Sequence, residues 1–431
     1  MTTNTIPDDG LARALRLRVR SGAPDDLLAQ IVSLPRTQRQ RRWALPPGML
    51  NFPRSARISA GIALVAATTA LLAVLGGASH PSPIHPTPSA SGSVHASDIP
   101  TGLLLYRQGV EIRTLDPRTG VVVVIARTDG TAASAPRWAG PGDTEVVYRA
   151  GSGTPYAYGR VDASGSNPAF WALGSRNSAW SSSGRYVAEV QDPGSAADVV
   201  ILDTRTNVKT PLSFFGNDEA TGEYSPVMWA PDDHAFAVVG CSPANSCRVG
   251  LGHGASYKVW VVTVADGRAR VLASTTRYTS LEAWTPDSQA IAYAEGNCSL
   301  YEDCIATTFA TWLAPVAGTP PNSLFPDDLT ARNLLWSPDG SKIEFVSDRG
   351  GSAGIYVAAG DGTSAIEIGP LVGDGNASWN GTQSAAWSGD GRWLAYALAD
   401  ASGELLVARA DGTGTLDLRV TTDGSVDWQH P

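Results

Sequence analysis

The chain has 431 residues, of which 43 % are hydrophobic and 17 % are charged, and this balance excludes a wholly disordered protein. The formal net charge is −9, but residues 1–57 carry ten Arg and four Asp, so the remainder has a net charge of −15. An acidic main part argues against nucleic acid as a partner.

Residues 1–57 are predicted to be a short, Arg-rich cytoplasmic segment with two short helices. Asp8 and Asp9 stand before the first helix, and Asp25 and Asp26 stand before the second, as in capped helix starts. Helices of this size rarely form a core of their own. We expect them to pack on each other, on the membrane surface or on a cytoplasmic protein.

Residues 58–78 form an uncharged stretch of 21 residues, which as a helix matches the roughly 30 Å of a hydrocarbon core. Arg54 and Arg57 stand just before it, and no Lys or Arg follows until Arg107. This asymmetry predicts a single-pass transmembrane helix in the cell membrane, with the N-terminus cytoplasmic and the rest outside. A cleaved signal peptide is the alternative, against which the long flank and the length of the stretch argue. Residues 79–100, rich in Pro and Ser, are predicted to be a linker.

A tryptophan recurs along residues 101–431 at intervals of 41 to 55 residues. Periods of this length, with several short strands in each, predict a β-propeller. A Trp at a fixed place in every repeat is better explained by packing between blades than by ligand stacking. The repeated residues are Trp138, Trp180, Trp229, Trp284, Trp336, Trp387 and Trp428.

The clearest repeat, residues 333–370, contains the parts of a four-stranded blade. Residues 337–340 (SPDG) favour a turn, because Pro presets φ and Gly tolerates a positive φ. The segments KIEFVS, GIYVAA and AIEIG then read as strands, with a hairpin at Asp361 and Gly362. A turn explains such Asp-Gly pairs better than a calcium loop does.

The two ends of the repeat region predict how the ring closes. The region opens with three strand-like segments, GLLLYRQG, VEIRTLD and VVVVIA, that no Trp strand precedes. It ends with SVDWQHP, a Trp strand that no further repeat follows. We expect the C-terminal strand to complete the first blade and leave no open edge inside the ring. Seven blades result, with six as the alternative if the repeat at Trp138 is degenerate.

The segment WSPDGSKIEFVSDRGGSAGIYVAAGDGT, residues 336–363, resembles the WD40-like repeat of TolB-type β-propellers. The resemblance covers roughly residues 101–431 and implies an all-β propeller. The N-terminal stretch also looks like the cytoplasmic lead of membrane-anchored bacterial propellers. TolB itself is a free periplasmic protein, so its partners are not carried over to this chain.

The four cysteines form two pairs with equal spacing, Cys241 with Cys247 and Cys298 with Cys304. Outside the membrane, a disulfide within each pair is the favoured interpretation. A zinc site is the alternative, but it would need further ligands.

Sequence motifs for catalysis are scarce. The zinc-peptidase pattern H-E-x-x-H and the P-loop do not occur in the sequence. We therefore expect no catalytic residues, no metal and no cofactor. A propeller hydrolase or lactonase is kept as an alternative.

Ligand binding is expected on the face that carries the connections between blades and those between second and third strands. These segments mix aromatic side chains with carboxylates, which suits sugars, peptides or a cationic partner. Solvated connections are the competing interpretation. The candidate ligand-binding residues are Phe214, Phe215, Asp218, Glu219, Tyr224, Asp327, Asp328, Arg332, Asp374 and Trp379.

The leading functional hypothesis is a membrane-anchored, non-catalytic module that binds an extracytoplasmic protein, peptide or glycan. A second hypothesis is transmembrane signalling through residues 1–57, which would hold a cytoplasmic regulator such as a sigma factor. The zinc-bearing anti-sigma pattern is missing from these residues, which contain neither Cys nor His.

Overall fold

A computed structural model gives the fold of the C-terminal three quarters of the chain. The chain divides into Met1–His85 and Pro86–Pro431, and every described residue belongs to the second unit. The predictions for residues 1–57 and 58–78 lie outside the described residues. Within the described residues, no helix is long and apolar enough to cross a membrane. The structure describes residues 94–128, 136–150, 156–173, 178–191, 197–216, 219–221, 227–242, 256–296, 308–351, 353–370, 385–398 and 403–430.

Seven antiparallel sheets, one for each blade, confirm the predicted seven-bladed propeller. In blade 1, β1 (Leu104–Gln108), β2 (Glu111–Leu115) and β3 (Val122–Arg127) follow one another outwards. Blade 2 contains β4 (Arg137–Ala139), β5 (Glu145–Arg149), β6 (Tyr156–Asp162) and β7 (Ala169–Leu173). Blade 3 contains β8 (Ala179–Trp180), β9 (Tyr186–Val190), β10 (Val199–Asp203) and β11 (Val208–Leu212).

Blade 4 departs from the pattern because its innermost strand is in two pieces. Both pieces, β12 (Ala220–Thr221) and β13 (Met228–Trp229), pair with β14 (Ala235–Ser242). The blade continues with β15 (Ser256–Thr263) and β16 (Ala269–Thr275).

The remaining blades return to four strands each. Blade 5 contains β17 (Tyr278–Trp284), β18 (Ala290–Gly296), β19 (Phe309–Pro315) and β20 (Asn322–Ser323). Blade 6 contains β21 (Arg332–Trp336), β22 (Lys342–Ser347), β23 (Gly354–Ala359) and β24 (Ile366–Pro370). Blade 7 contains β25 (Ala385–Trp387), β26 (Trp393–Ala397), β27 (Glu404–Arg409) and β28 (Thr415–Thr421), and the last strand of the chain is β29 (Val426–Trp428).

The C-terminal strand closes the ring as predicted. β29 is the innermost strand of blade 1 and pairs antiparallel with β1, with Leu104 opposite Trp428. The Trp428 side chain is only 1 % exposed. The Asp427 carboxylate also accepts a hydrogen bond of 2.8 Å from the Trp138 backbone N–H, which joins blade 1 to blade 2.

The repeated tryptophans pack between blades and are all buried. The indole N–H of Trp229, Trp284 and Trp387 donates a 3.0 Å hydrogen bond to a backbone carbonyl of the preceding blade. The acceptor is always the residue just before that blade's own Trp: Ala179, Met228 and Leu335. The packing interpretation is therefore confirmed.

The predicted turns connect the first and second strands and define one face of the ring, the turn face. In blade 6, Gly340 has a φ of 71°, and the Ser341 backbone N–H donates a 3.0 Å hydrogen bond to the Asp339 carboxylate. Hydrogen bonds from Ser337 and Ser341 lower the pKa of Asp339 to about 2. The loop face, on the opposite side, carries the connections between blades and those between second and third strands.

Candidate functional site

Three predicted residues meet on the loop face between blades 3 and 4. The Phe214 and Phe215 rings lie edge to face with centroids 4.6 Å apart, and both contact the Trp260 ring. Their backbone N–H groups donate to the Asp198 carboxylate, at 2.5 and 2.8 Å. The connection from blade 3 to blade 4 is thus fixed by packing and by hydrogen bonds.

Glu219 completes this group from its inner side. Its Oε1 accepts a 2.7 Å hydrogen bond from Trp260 Nε1, and its Oε2 lies 3.1 Å from Lys258 Nζ. The Glu219 side chain is only 5 % exposed, whereas that of Lys258 is 32 % exposed. Lys258 and Trp260 were not predicted as site residues, because they belong to β15 and their local sequence shows only strand alternation.

Asp328 stabilises the connection from blade 5 to blade 6. Its carboxylate accepts hydrogen bonds from the backbone N–H and hydroxyl of Thr330 and from the Ser347 hydroxyl, at 3.0, 2.7 and 2.7 Å. Arg349 Nε lies 3.6 Å from the same carboxylate. The neighbouring Asp327 is exposed, so two adjacent acidic residues have different surroundings.

Arg332 begins the innermost strand of blade 6, with its guanidinium 4.6 Å from the centroid of the Phe309 ring. Burial lowers the pKa of Arg332, while the charges of Glu282 and Asp348 act in the opposite direction. Glu282 accepts a 2.8 Å hydrogen bond from the Asn333 backbone N–H and a 2.9 Å bond from the Ser280 hydroxyl. Burial raises the pKa of Glu282. This carboxylate therefore connects the innermost strands of blades 5 and 6.

Two tyrosines that the sequence analysis did not single out occupy the junction of blades 4 and 5. The rings of Tyr257 and Tyr278 are 6.0 Å apart and nearly perpendicular, and burial raises the pKa of both hydroxyls. Tyr278 packs against Phe309, and the Arg332 guanidinium lies over the Phe309 ring, so three aromatic rings and one guanidinium form a continuous row. We call Tyr257, Tyr278, Phe309 and Arg332 the aromatic row.

Charged side chains stand beside this row. Glu295, at the end of β18, is partly exposed, and burial raises its pKa while Arg277 and the Thr275 hydroxyl act against that shift. Arg277 is exposed, on the connection from blade 4 to blade 5. The arrangement offers aromatic rings, one exposed cation and partly exposed carboxyl groups on one side of the ring.

Most of the remaining candidate residues lie outside the described residues. Cys241 is buried on β14 and disulfide-bonded. Its predicted partner Cys247 lies outside the described residues, so the pairing stays a prediction. The second predicted pair and four candidate ligand-binding residues also lie outside them. These are Cys298, Cys304, Asp218, Tyr224, Asp374 and Trp379.

One sequence pattern typical of hydrolases occurs at residues 350–354 (GGSAG), which match G-x-S-x-G. In hydrolases, this motif forms a sharp turn from a strand into a helix. Here the residues connect β22 with β23, two antiparallel strands of blade 6. Ser352 itself lies outside the described residues. Among the described residues, no three His, Cys, Asp or Glu side chains form a group that could hold a metal.

No known family model matches this chain, and no curated protein matches it in sequence. Similar solved structures include oligogalacturonate lyase in complex with manganese, with 14 % identity, a TM-score of 0.53, and coverage of 75 % of this chain and 85 % of that one. The tricorn protease has 10 % identity and a TM-score of 0.51, over 79 % of this chain and 36 % of that one. TolB from Acinetobacter baumannii has 14 % identity and a TM-score of 0.43, over 81 % and 89 %.

These similarities concern the fold alone, because all the identities are low. At that level the predicted β-propeller is confirmed by the seven sheets of the chain. TolB proteins are among the solved structures similar to it.

Proposed function

We propose that the protein is a non-catalytic binding module whose loop face, over blades 4 to 6, recognises an extracytoplasmic protein, peptide or glycan. The observation that carries this proposal is the aromatic row with its flanking charges. Aromatic rings beside a cation and carboxyl groups suit the apolar faces and polar edges of sugars and peptides.

Three acidic side chains on this face are held by hydrogen bonds in a way that supports binding over catalysis. Glu219, Glu282 and Asp328 accept hydrogen bonds from neighbouring backbone or side-chain donors. A general acid or base must exchange protons with a substrate, so a carboxylate occupied by the framework is poorly suited to that role. These three residues support the shape of the face.

The full-length chain, purified in mild detergent, tests the proposal against arrays of envelope glycans and peptides. For any ligand found, Tyr257→Ala and Tyr278→Ala should each weaken binding about tenfold, which is roughly 1.4 kcal/mol. Phe170→Ala is the matched control, because Phe170 is an exposed aromatic residue on the outer strand of blade 2. Turnover of oligogalacturonate or another substrate, with or without added manganese or calcium, would contradict the proposal.

The proposed location is outside the cell membrane, with residues 58–78 as the anchor and residues 1–57 in the cytoplasm. The uncharged stretch and the preceding arginines support this topology. Protease treatment of intact spheroplasts should digest the propeller and leave an N-terminal epitope tag protected. Digestion of the tag at the same rate would contradict the topology.

A further inference from the structure

We propose that the outer edge of blade 1 is a second docking site, where an extended peptide with β-branched residues between acidic ends adds a strand to the sheet. This site is separate from the aromatic row and does not depend on its function. Strand addition satisfies the unpaired backbone groups of an outermost strand, and side-chain contacts then select the partner.

A continuous run of exposed valines lies at the start of the outermost strand of blade 1, with Val121 just before β3 and the other three inside it. Residues 121–124 are four valines that are 58, 38, 49 and 42 % exposed. Within the described part of the chain, β3 pairs with β2 alone. An apolar strand edge of this kind is normally guarded against unwanted pairing.

The other six blades allow a comparison within the molecule. Five of their outermost strands have a feature that hinders pairing with a further strand, and we call these strands guarded. β20 has only two residues, and the other four carry charges or proline within the strand. These guarding residues are Lys209 and Pro211 in β11, Arg270 in β16, Glu367 and Pro370 in β24, and Asp417 and Arg419 in β28.

β3 and β7 are the two outermost strands without such a guard inside them. In β7 the Trp171 ring is covered by Arg160, whose guanidinium lies 5.4 Å from its centroid. β3 has its only charge, Arg127, at its end. The unguarded valine run is therefore particular to blade 1.

A close approach limits the length of the free edge. A Cβ added to Gly165 in blade 2 would lie 2.8 Å from the Ile125 carbonyl oxygen, so the blade 2 hairpin covers the strand there. The free part is thus the four valines. A partner needs about four residues to pair with them and one more at each end to reach the flanking charges.

The charges around the valine run indicate which charge the partner should have at each of its two ends. Arg127 is 71 % exposed beyond one end, although it pairs with Glu111 at 2.7 Å, and Arg118 is exposed beyond the other. If Arg113 and Asp116 are included, three arginines and two acidic residues surround the valine run. Residues 58–431 as a whole, by contrast, have an excess of acidic residues. A strand with a carboxylate at each end complements this pattern.

The same charges disfavour a second copy of this chain as the occupant. If two copies paired antiparallel with their valine runs aligned, Val121 would face Val124. Arg118 of one copy would then approach Arg127 of the other, and like charges across a strand pair are destabilising.

The test measures binding of a fluorescein-labelled peptide, Glu-Val-Thr-Val-Thr-Glu, to the full-length chain by fluorescence anisotropy. Val123→Lys should weaken binding at least tenfold, because it guards the edge as Lys209 guards β11. Arg127→Gln should weaken it about threefold and reduce its dependence on salt. Val208→Lys is the matched control, because Val208 is 57 % exposed on the outermost strand of blade 3 and should have no effect.

Two further peptides and one hydrodynamic measurement complete the test. A peptide with a central proline and one with lysine ends should each bind at least tenfold more weakly. Equal binding by V123K, an equal loss in V208K, or no binding of the first peptide by the wild type would overturn the proposal. A wild-type dimer in analytical ultracentrifugation that V123K converts to a monomer would also overturn it, since a second copy would then be the occupant.

Discussion

Glu344 is a buried acidic side chain on the second strand of blade 6. In the second strand of a blade, one residue pairs with the repeated Trp. Glu344 is the residue that follows this partner in β22. The corresponding residues of four other blades are all alanines: Ala188, Ala237, Ala292 and Ala395. Glu344 is 3 % exposed. It stands opposite Leu335 and Val357 on the neighbouring strands, and these two residues pack against blade 7. Burial raises the pKa of Glu344 to about 8.

This raised pKa predicts that stability falls as the pH rises. The carboxyl group ionises near pH 4.5 in the unfolded chain but stays protonated up to about pH 8 in the folded one, so its favourable contribution is complete below about pH 4.5 and is lost by pH 8. The loss has an upper limit of about 5 kcal/mol. Denaturant unfolding between pH 4 and 9 should show a smaller decline for Glu344→Gln than for the wild type, while the exposed control Glu367→Gln should retain the full decline. An identical decline in Glu344→Gln would refute the assignment.

Gly240 allows the group formed by Phe215, Glu219 and Trp260 to lie close to β14. A Cβ at this position would be 2.7 Å from Glu219 Oε1, 2.7 Å from Phe215 Cε1 and 3.0 Å from Trp260 Nε1. Gly240→Ala should therefore displace these side chains and lower the free energy of unfolding by about 1–3 kcal/mol. Thermal unfolding and tryptophan fluorescence measure both effects.

The matched control is Gly216→Ala on the same connection, where an added Cβ meets nothing within 4 Å. It should change the free energy of unfolding by less than about 0.5 kcal/mol. Equal effects of the two substitutions would show that the contact at Gly240 is unimportant.

At the level of whole strands, three tryptophan indoles, those of Trp229, Trp284 and Trp387, join the innermost strands of neighbouring blades. Trp387→Phe keeps an aromatic ring but leaves the Leu335 carbonyl without its 3.0 Å hydrogen bond. The expected loss is about 1 kcal/mol of stability for the hydrogen bond, in addition to the smaller ring. Chemical denaturation measures it.

Trp312→Phe is a control for the change of ring, because the Trp312 indole N–H has no hydrogen-bond partner among the described residues. Its cost should therefore be smaller than that of Trp387→Phe. The reverse order would contradict a stabilising role for the bond between blades.

For the whole molecule, stability depends on the contact between the two ends of the propeller. Gly102 has a φ of 127°, and a Cβ there would lie 2.5 Å from the Gln429 carbonyl oxygen and 3.0 Å from Trp428 Nε1. Gly102→Ala should displace β29 and lower the free energy of unfolding by about 2–4 kcal/mol. Hydrogen exchange should then increase at residues 426–428 and in β1 before other blades are affected.

Gly109→Ala separates backbone strain from the contact with β29. Gly109 also has a positive φ, 61°, but an added Cβ meets nothing within 4 Å. It should cost less than Gly102→Ala and leave exchange in β29 unchanged. Equal exchange in β29 for both variants would argue against closure as the source of stability.

The candidate face was only partly predictable from the sequence. Phe214, Phe215 and Glu219 were identified because aromatic and acidic residues cluster in one connection, and the structure brings them together. Tyr257 and Tyr278 are 21 residues apart in different blades, and nothing in their local sequence indicates that their rings meet. The contrast between exposed Asp327 and buried Asp328 likewise depends on the Ser347 hydroxyl, which another connection supplies.

The sequence by itself determined the propeller, its seven blades and its closure. Turn chemistry, strand alternation and a recurring Trp are local or periodic features, and the unmatched strands at the two ends require each other. Only the tertiary structure decided which side chains meet between blades, which carboxylates are occupied, and that Glu344 is buried against blade 7. Those properties depend on residues about 50 positions away in the chain. The distance between two such residues decides whether a hydrogen bond forms, and burial shifts the pKa of an ionisable side chain.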